Sequence, residues 1–150
     1  MSKVFSFQKQ LNLGNVGETL FLKYYKHLNP LKSEDRAYDF NLGDGTTVEV
    51  KVDSWDSPNF FMEKYGNIEK MTDGGPFRAA KDGVTHFVYL FINEMTFYWF
   101  DSVQLVNFLN KNLDNYQSRN IANRTWTTFG YLVPRVDIES LALKKDIFNV

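Results

Sequence analysis

Residues 38–53 constrain the fold of this chain more than any other stretch. Tyr38-Asp39-Phe40-Asn41-Leu42 and Thr46-Thr47-Val48-Glu49-Val50-Lys51-Val52-Asp53 each alternate with a period of two, on either side of Gly43-Asp44-Gly45. Alternation flanking a Gly-rich turn specifies a β-hairpin. Its second arm sends Val48, Val50 and Val52 to one face and Glu49, Lys51 and Asp53 to the other, because successive strand side chains point to opposite faces. If Gly43-Asp44-Gly45 forms a three-residue loop, Leu42 pairs with Thr46 and Asp39 falls opposite Glu49, with Cβ atoms about 5 Å apart on one face. A two-residue loop would instead set Asp39 against Val50. Two carboxylates held opposite one another repel unless a cation lies between them or one keeps its proton, so the first register predicts a bound cation or a raised pKa. Lys51, two residues along the same face, offsets part of that repulsion.

Around the hairpin the pattern is mixed. Leu13, Val16, Leu20, Tyr24 and Leu28 recur at helical spacing, with Asn12 or Asn15 as start signals and Pro30 as the stop. Asn59 to Lys64 reads as a strand, Asp73-Gly74-Gly75-Pro76 as a turn, and Phe77 to Lys81 as a loop or short helix. Thr85 to Asn93 and Met95 to Phe100 read as two tightly joined strands. Asp101 or Ser102 caps a helix running to about Leu113. Asn115 to Asn123 reads as a polar loop, Trp126 to Val133 as a strand and Ile138 to Lys145 as a final helix. The class implied is α/β, a mixed or antiparallel sheet flanked by helices.

No repeat, linker or low-complexity segment divides the 150 residues, so a single domain spanning 1–150 is expected. Neither an apolar run of membrane-spanning length nor a secretory signal stands out, so no membrane association and a cytoplasmic location are expected, the host cytoplasm if the chain is phage-encoded. With no cysteine and two isolated histidines, any bound metal has to be held by oxygen. The net charge of −1 divides into an acidic centre, −6 over residues 37–110, between flanks of +3 and +2. That pattern suits a cation site gripped from outside by a polyanion.

Glu18, then Asp39, then Glu49-Val50-Lys51 resembles the PD-(D/E)XK phosphodiesterase superfamily, which includes restriction endonucleases and junction resolvases. The stretches Asn59 to Glu63, Gly74 to Pro76 and Thr85 to Tyr89 are similar to small phage or bacterial members. The family's proline before the first Asp is Tyr38 here, a position that ligates nothing. The resemblance implies a restriction-endonuclease-like core of αβββ-αβ type and Mg²⁺-dependent endonuclease action on DNA, with Mn²⁺ substituting; structure-selective or junction-resolving cleavage is within the family's range. It implies Asp39, Glu49 and the backbone carbonyl of Val50 as metal ligands. Glu18 would hold a second ion, or a water on the first, and Lys51 would orient or help deprotonate the attacking water. One or two ions and a homodimer are compatible with it, and no small-molecule cofactor is expected. Lys64, Arg78, Arg119 and Arg124 are candidate contacts to nucleic acid.

Each residue also has an ordinary reading. Glu18, three after Asn15, can close a capping box; Glu49 and Lys51 can be the solvated face of a strand, and Asp39 a surface acid. Asp53 and Glu63 read as polar-face residues outside the ligand set, and His27 and His86 as residues without a partner. The three Trp, eight Tyr and fourteen Phe read as core rather than as stacking platforms. A catalytically silent module of the same fold, binding nucleic acid or protein, is the alternative to an enzyme.

Overall fold

The structure is a computed structural model describing residues 3–35, 37–55 and 57–149, with side chains described from Leu13 onward. Helix α1 (Lys3–Tyr24) leads through a single 3₁₀ turn, closed by Asn29 in the left-handed region, to strands β1 (Leu31–Lys32), β2 (Phe40–Asn41) and β3 (Thr47–Asp53). Strands β4 (Asn59–Asn67) and β5 (Thr72–Asp73), helix α2 (Gly75–Lys81), β6 (His86–Phe91) and β7 (Thr96–Asp101) follow. Helix α3 (Ser102–Asn112), β8 (Gln117–Ala122), β9 (Thr127–Pro134), the short α4 (Arg135–Ile138) and β10 (Lys144–Ile147) complete the chain.

A mixed sheet flanked by helices is present, as the sequence implied. Its strand order is β1-β2-β3-β6-β7-β10, with β3 and β6 parallel and every other neighbouring pair antiparallel. Beside it stands a second, antiparallel sheet, β5-β4-β9-β8, where one sheet was expected. Alternation along β6 explains the two layers. Val88 and Leu90 face α1 and pack with Phe21, Tyr25, Phe40, Val48, Phe97 and Trp99. Phe87, Tyr89 and Phe91 face the second sheet and pack with Phe60, Met62 and Val133, joined by Phe77 of α2 and Leu105 and Leu109 of α3.

Several local expectations change. Helix α1 begins well before Asn12 and Asn15, so neither caps it, and Val16 of the expected stripe is 43% exposed. The buried ridge is Gly17, Phe21 and Tyr25. The polar stretch read as a loop contains strand β8, exposed at every position but Ile121. The expected last helix is one short turn followed by β10, which adds to β7 in the register Lys144↔Trp99 to Ile147↔Thr96. Asp101 does cap α3, its Oδ1 accepting from the Gln104 amide at 2.9 Å. Among the described residues no helix is long and apolar enough to cross a membrane.

Candidate functional site

The hairpin forms with the three-residue loop. Gly43 and Gly45 take φ of 89° and 87°, and the side chains of Asn41 and Asp44 accept from the Gly43 and Thr46 amides at 2.7 and 3.0 Å. Positive φ at both glycines fixes the loop length, and loop length fixes register. The observed pairs Phe40↔Val48 and Asn41↔Thr47 continue to Asp39 opposite Glu49. Asp39 is tied in twice: its amide donates to the Val48 carbonyl at 2.8 Å, and its Oδ2 accepts from the Val50 amide at 2.8 Å.

The electrostatic strain expected of this register is present. Burial, then the charge of Asp39 and a hydrogen bond to it, push Glu49 up to about 8, against the pull of Arg78 and Lys51. Burial pushes Asp39 up as well, opposed by the Val50 amide, by Lys32 and by the hydrogen bond from Glu49. Both carboxyls are thus raised, the response of two carboxylates crowded together.

Lys51 lies on the same face, its Nζ 2.8 Å from Oε1 of Glu63 on β4. Burial alone would lower the amine, but Glu63, with Asp53 and Glu49, outweighs it and holds Lys51 above its ordinary range. Raised in this way, Lys51 is an ammonium, which suits orienting a water more than taking its proton. Glu63, set outside the ligand shell by sequence, is its fixed counter-charge. The signal that could have found it is the Gly74-Gly75 pair. A Cβ on Gly75 would lie 3.0 Å from Glu63 Cβ, and one on Gly74 would lie 3.0 Å from Glu63 Oε2. Gly75 thus passes tight against Glu63, whereas Gly74 is held first by the Gly66 backbone, 2.5 Å from an added Cβ.

Glu49, Val50, Lys51, Glu63, Gly74, Gly75 and Arg78 share one cleft of about 350 Å³. Arg78, on α2, pairs with Asp82 at 3.5 Å and also acts on Glu49. Glu18 does not join them. It forms an ion pair with Lys32 of β1, and Lys32 in turn acts on Asp39. Lys32 is thus a residue that sequence reading passed over, linking the helix acid to the strand pair. Lys64 lies over the ring of Phe77 at 4.1 Å. Arg119 sits on β8 and Arg124 in the turn after it, both exposed and outside the cleft lining.

Asp53 is buried, accepting from the Tyr89 hydroxyl at 2.5 Å, and that hydroxyl accepts from the Phe61 amide at 2.9 Å. His86 has a partner after all, Thr85 Oγ1 at 2.8 Å. Trp99 is core, but Trp55 is 67% exposed.

The donor set suits a hard cation in part. Asp39 and Glu49 present oxygens in mutual contact. In an extended strand one residue's N–H and C=O point the same way, so the Val50 carbonyl is directed to the side on which its amide meets Asp39. Among the described residues no group of three or more His, Asp or Glu converges as a ready-made cage, and Glu18 is engaged elsewhere. Two carboxylates with a carbonyl match the sparse protein share typical of Mg²⁺. Comparison with known proteins finds no matching family model, no similar curated protein and no similar solved structure.

Proposed function

We propose that the chain is a metal-dependent nuclease acting on DNA, built on a restriction-endonuclease-like core, with Asp39, Glu49 and the Val50 carbonyl holding one Mg²⁺ or Mn²⁺. The observation that carries this reading is the Asp39–Glu49 contact, locked by loop geometry, with Glu49 and Lys51 lining one cleft. A strand face that only met solvent would have no reason to oppose two carboxylates and raise one of them so far. A bound ion would supply Lewis-acid neutralisation of a phosphodiester anion.

The chain's own residues then divide the rest. Lys51, kept charged by Glu63, presents an ammonium beside the acid pair, where it orients a water and balances charge developing on phosphate. Arg78, on the exposed rim, reaches substrate phosphate rather than the metal. Glu18, paired with Lys32, acts on the site through that lysine.

The deciding measurement compares wild type with Asp39→Ala and Lys51→Ala on plasmid, single-stranded and branched DNA in Mg²⁺ or Mn²⁺. Each substitution is expected to lower cleavage by about a hundredfold or more. Undiminished cleavage in both variants sinks the reading, and DNA binding with neither cleavage nor metal uptake selects the silent module instead. Cutting both strands with one site per chain would call for a symmetric dimer, which sedimentation in the presence of DNA would detect.

A further inference from the structure

Residues 115–136 hold no Asp or Glu, although the chain has eighteen, and they include Arg119, Arg124 and Arg135. Arg135 is taken by Glu94. Arg119 and Arg124 are exposed and make no ion pair among the described residues. Gln117, Ser118, Arg119, Asn120 and Ala122 are exposed in succession along β8, the edge of the second sheet. Two acids approach this edge and both are engaged: Glu69 accepts from the Thr127 amide at 3.1 Å and Asp137 from the Tyr116 hydroxyl at 3.1 Å.

Register ties this edge to the cleft. Glu63 pairs with Gly130, and Gly130 pairs with Arg119. The three form one row across β4, β9 and β8, so Arg119 stands two strand spacings, about 10 Å, from the residue that holds Lys51. From Arg119 to the end of β8 at Ala122 is about another 10 Å, the axial rise of about three phosphates of one DNA strand.

We propose that strand β8, with Arg119 and Arg124, is a rail for the backbone of a DNA duplex whose neighbouring phosphate lies at Lys51 and Arg78. The proposal rests on the nuclease reading for the identity of the polyanion. Charge complementarity favours this occupant over a second copy of the chain, since a two-fold antiparallel pairing of two β8 edges centred on Arg119 would set the two Arg119 side chains opposite one another. The guanidinium and amide groups along the edge are the donors that hold phosphate oxygens.

The test is fluorescence anisotropy of a short labelled DNA duplex across a salt series, in EDTA to prevent cutting. It uses wild type, Arg119→Gln/Arg124→Gln, and Lys23→Gln/Lys26→Gln as an equal charge change on the α1 side of the first sheet. Loss of two phosphate contacts is expected to flatten the slope of log affinity against log salt by about 1.8, with the α1-side variant unchanged. An unchanged slope in the arginine variant, equal damage in the α1-side variant, no binding by wild type, or tighter binding of an RNA duplex overturns the rail. Mn²⁺ calorimetry on wild type and Asp39→Ala reports separately on the metal site. Mn²⁺ uptake with an unchanged arginine variant removes the rail alone, whereas arginine-dependent DNA binding without Mn²⁺ uptake removes the metal site alone.

Discussion

Gly17 of α1 lies directly against Val52 of β3, so closely that a Cβ at position 17 would overlap the Val52 side chain. This contact lets the helix settle onto the strand that carries Glu49 and Lys51, and it sets Glu18 at the β1 margin beside Lys32. Gly14, one turn earlier, has no neighbour within 4 Å of an added Cβ. Opposite outcomes are expected from one substitution at the two sites. Gly14→Ala should stabilise by about 0.5–1 kcal/mol through helix propensity. Gly17→Ala should destabilise by about 1–3 kcal/mol through overpacking, despite the same propensity gain. Urea midpoints of the two variants measure this, and a stabilised Gly17→Ala would show that helix and strand are not in close contact.

The Asp39–Glu49 pair predicts an uncommon pH dependence. Glu49 is raised from its ordinary value near 4.5 to about 8 in the folded chain. Between those values the folded state holds a proton that the unfolded state has released, so stability falls as pH rises through the window. The melting temperature should therefore decline from pH 5 toward pH 8. In Glu49→Gln, which keeps a donor for Asp39 but cannot ionise, the decline should be much shallower. Equal slopes in the two proteins would show that Glu49 is not raised by its setting.

How much of this was legible in sequence depends on whether the deciding force was local. The hairpin register could be read because Gly43 and Gly45 determine the loop and the loop determines what opposes Asp39. Strand β8 could not, because an edge strand solvated on both faces carries no apolar alternation. Strand β10 was hidden for a different reason. Lys144 to Ile147 become a strand by pairing with β7, and the Leu- and Lys-rich run has helix-forming composition until that partner is known. Glu63 and Lys32 escaped because each meets its partner across the fold, β4 to β3 and β1 to α1.

The Lys51–Glu63 bridge separates charge from shape. Lys51 is 37% exposed and Glu63 18%, so the pair stands between surface bridges worth about 0–1 kcal/mol and buried ones whose disruption costs about 3–5 kcal/mol. Glu63→Gln should cost an intermediate amount and lower the Lys51 pKa, since burial, which lowers it, would lose its main opponent. The alkaline limb of any cleavage profile should then move to lower pH. An unmoved limb would mean that Lys51 takes no part in setting it.

Tyr89→Phe removes one oxygen and leaves two groups each short of a partner. The Phe61 amide loses its acceptor, and the buried Asp53 loses one of its donors while keeping the Trp55 amide. A buried polar group left unsatisfied costs about 1–3 kcal/mol, and the lost Phe61–Tyr89 bond joins β4 of one sheet to β6 of the other. Calorimetric unfolding should show a clear drop in melting temperature. A neutral result would mean that water replaces the hydroxyl.

Lys32 gives the last prediction, because it acts on two of the acids named at the outset. It pairs with Glu18, and its charge holds Asp39 lower than burial alone would. For a cation held at Asp39 and Glu49, the same charge is repulsive. Lys32 is 53% exposed, so its field is strongly screened, and removing it is worth about 0.5–1 kcal/mol at low salt. Lys32→Gln should therefore bind Mn²⁺ about two- to fivefold more tightly in low-salt calorimetry, with the gain fading at high salt. The Glu18→Gln/Lys32→Gln pair should retain the gain if Lys32 acts by charge alone. If freeing Glu18 is what recruits it to the ion, the double variant should lose the gain. Weaker binding in Lys32→Gln would instead show that the lysine positions Asp39, making the helix–strand ion pair part of the site's scaffold.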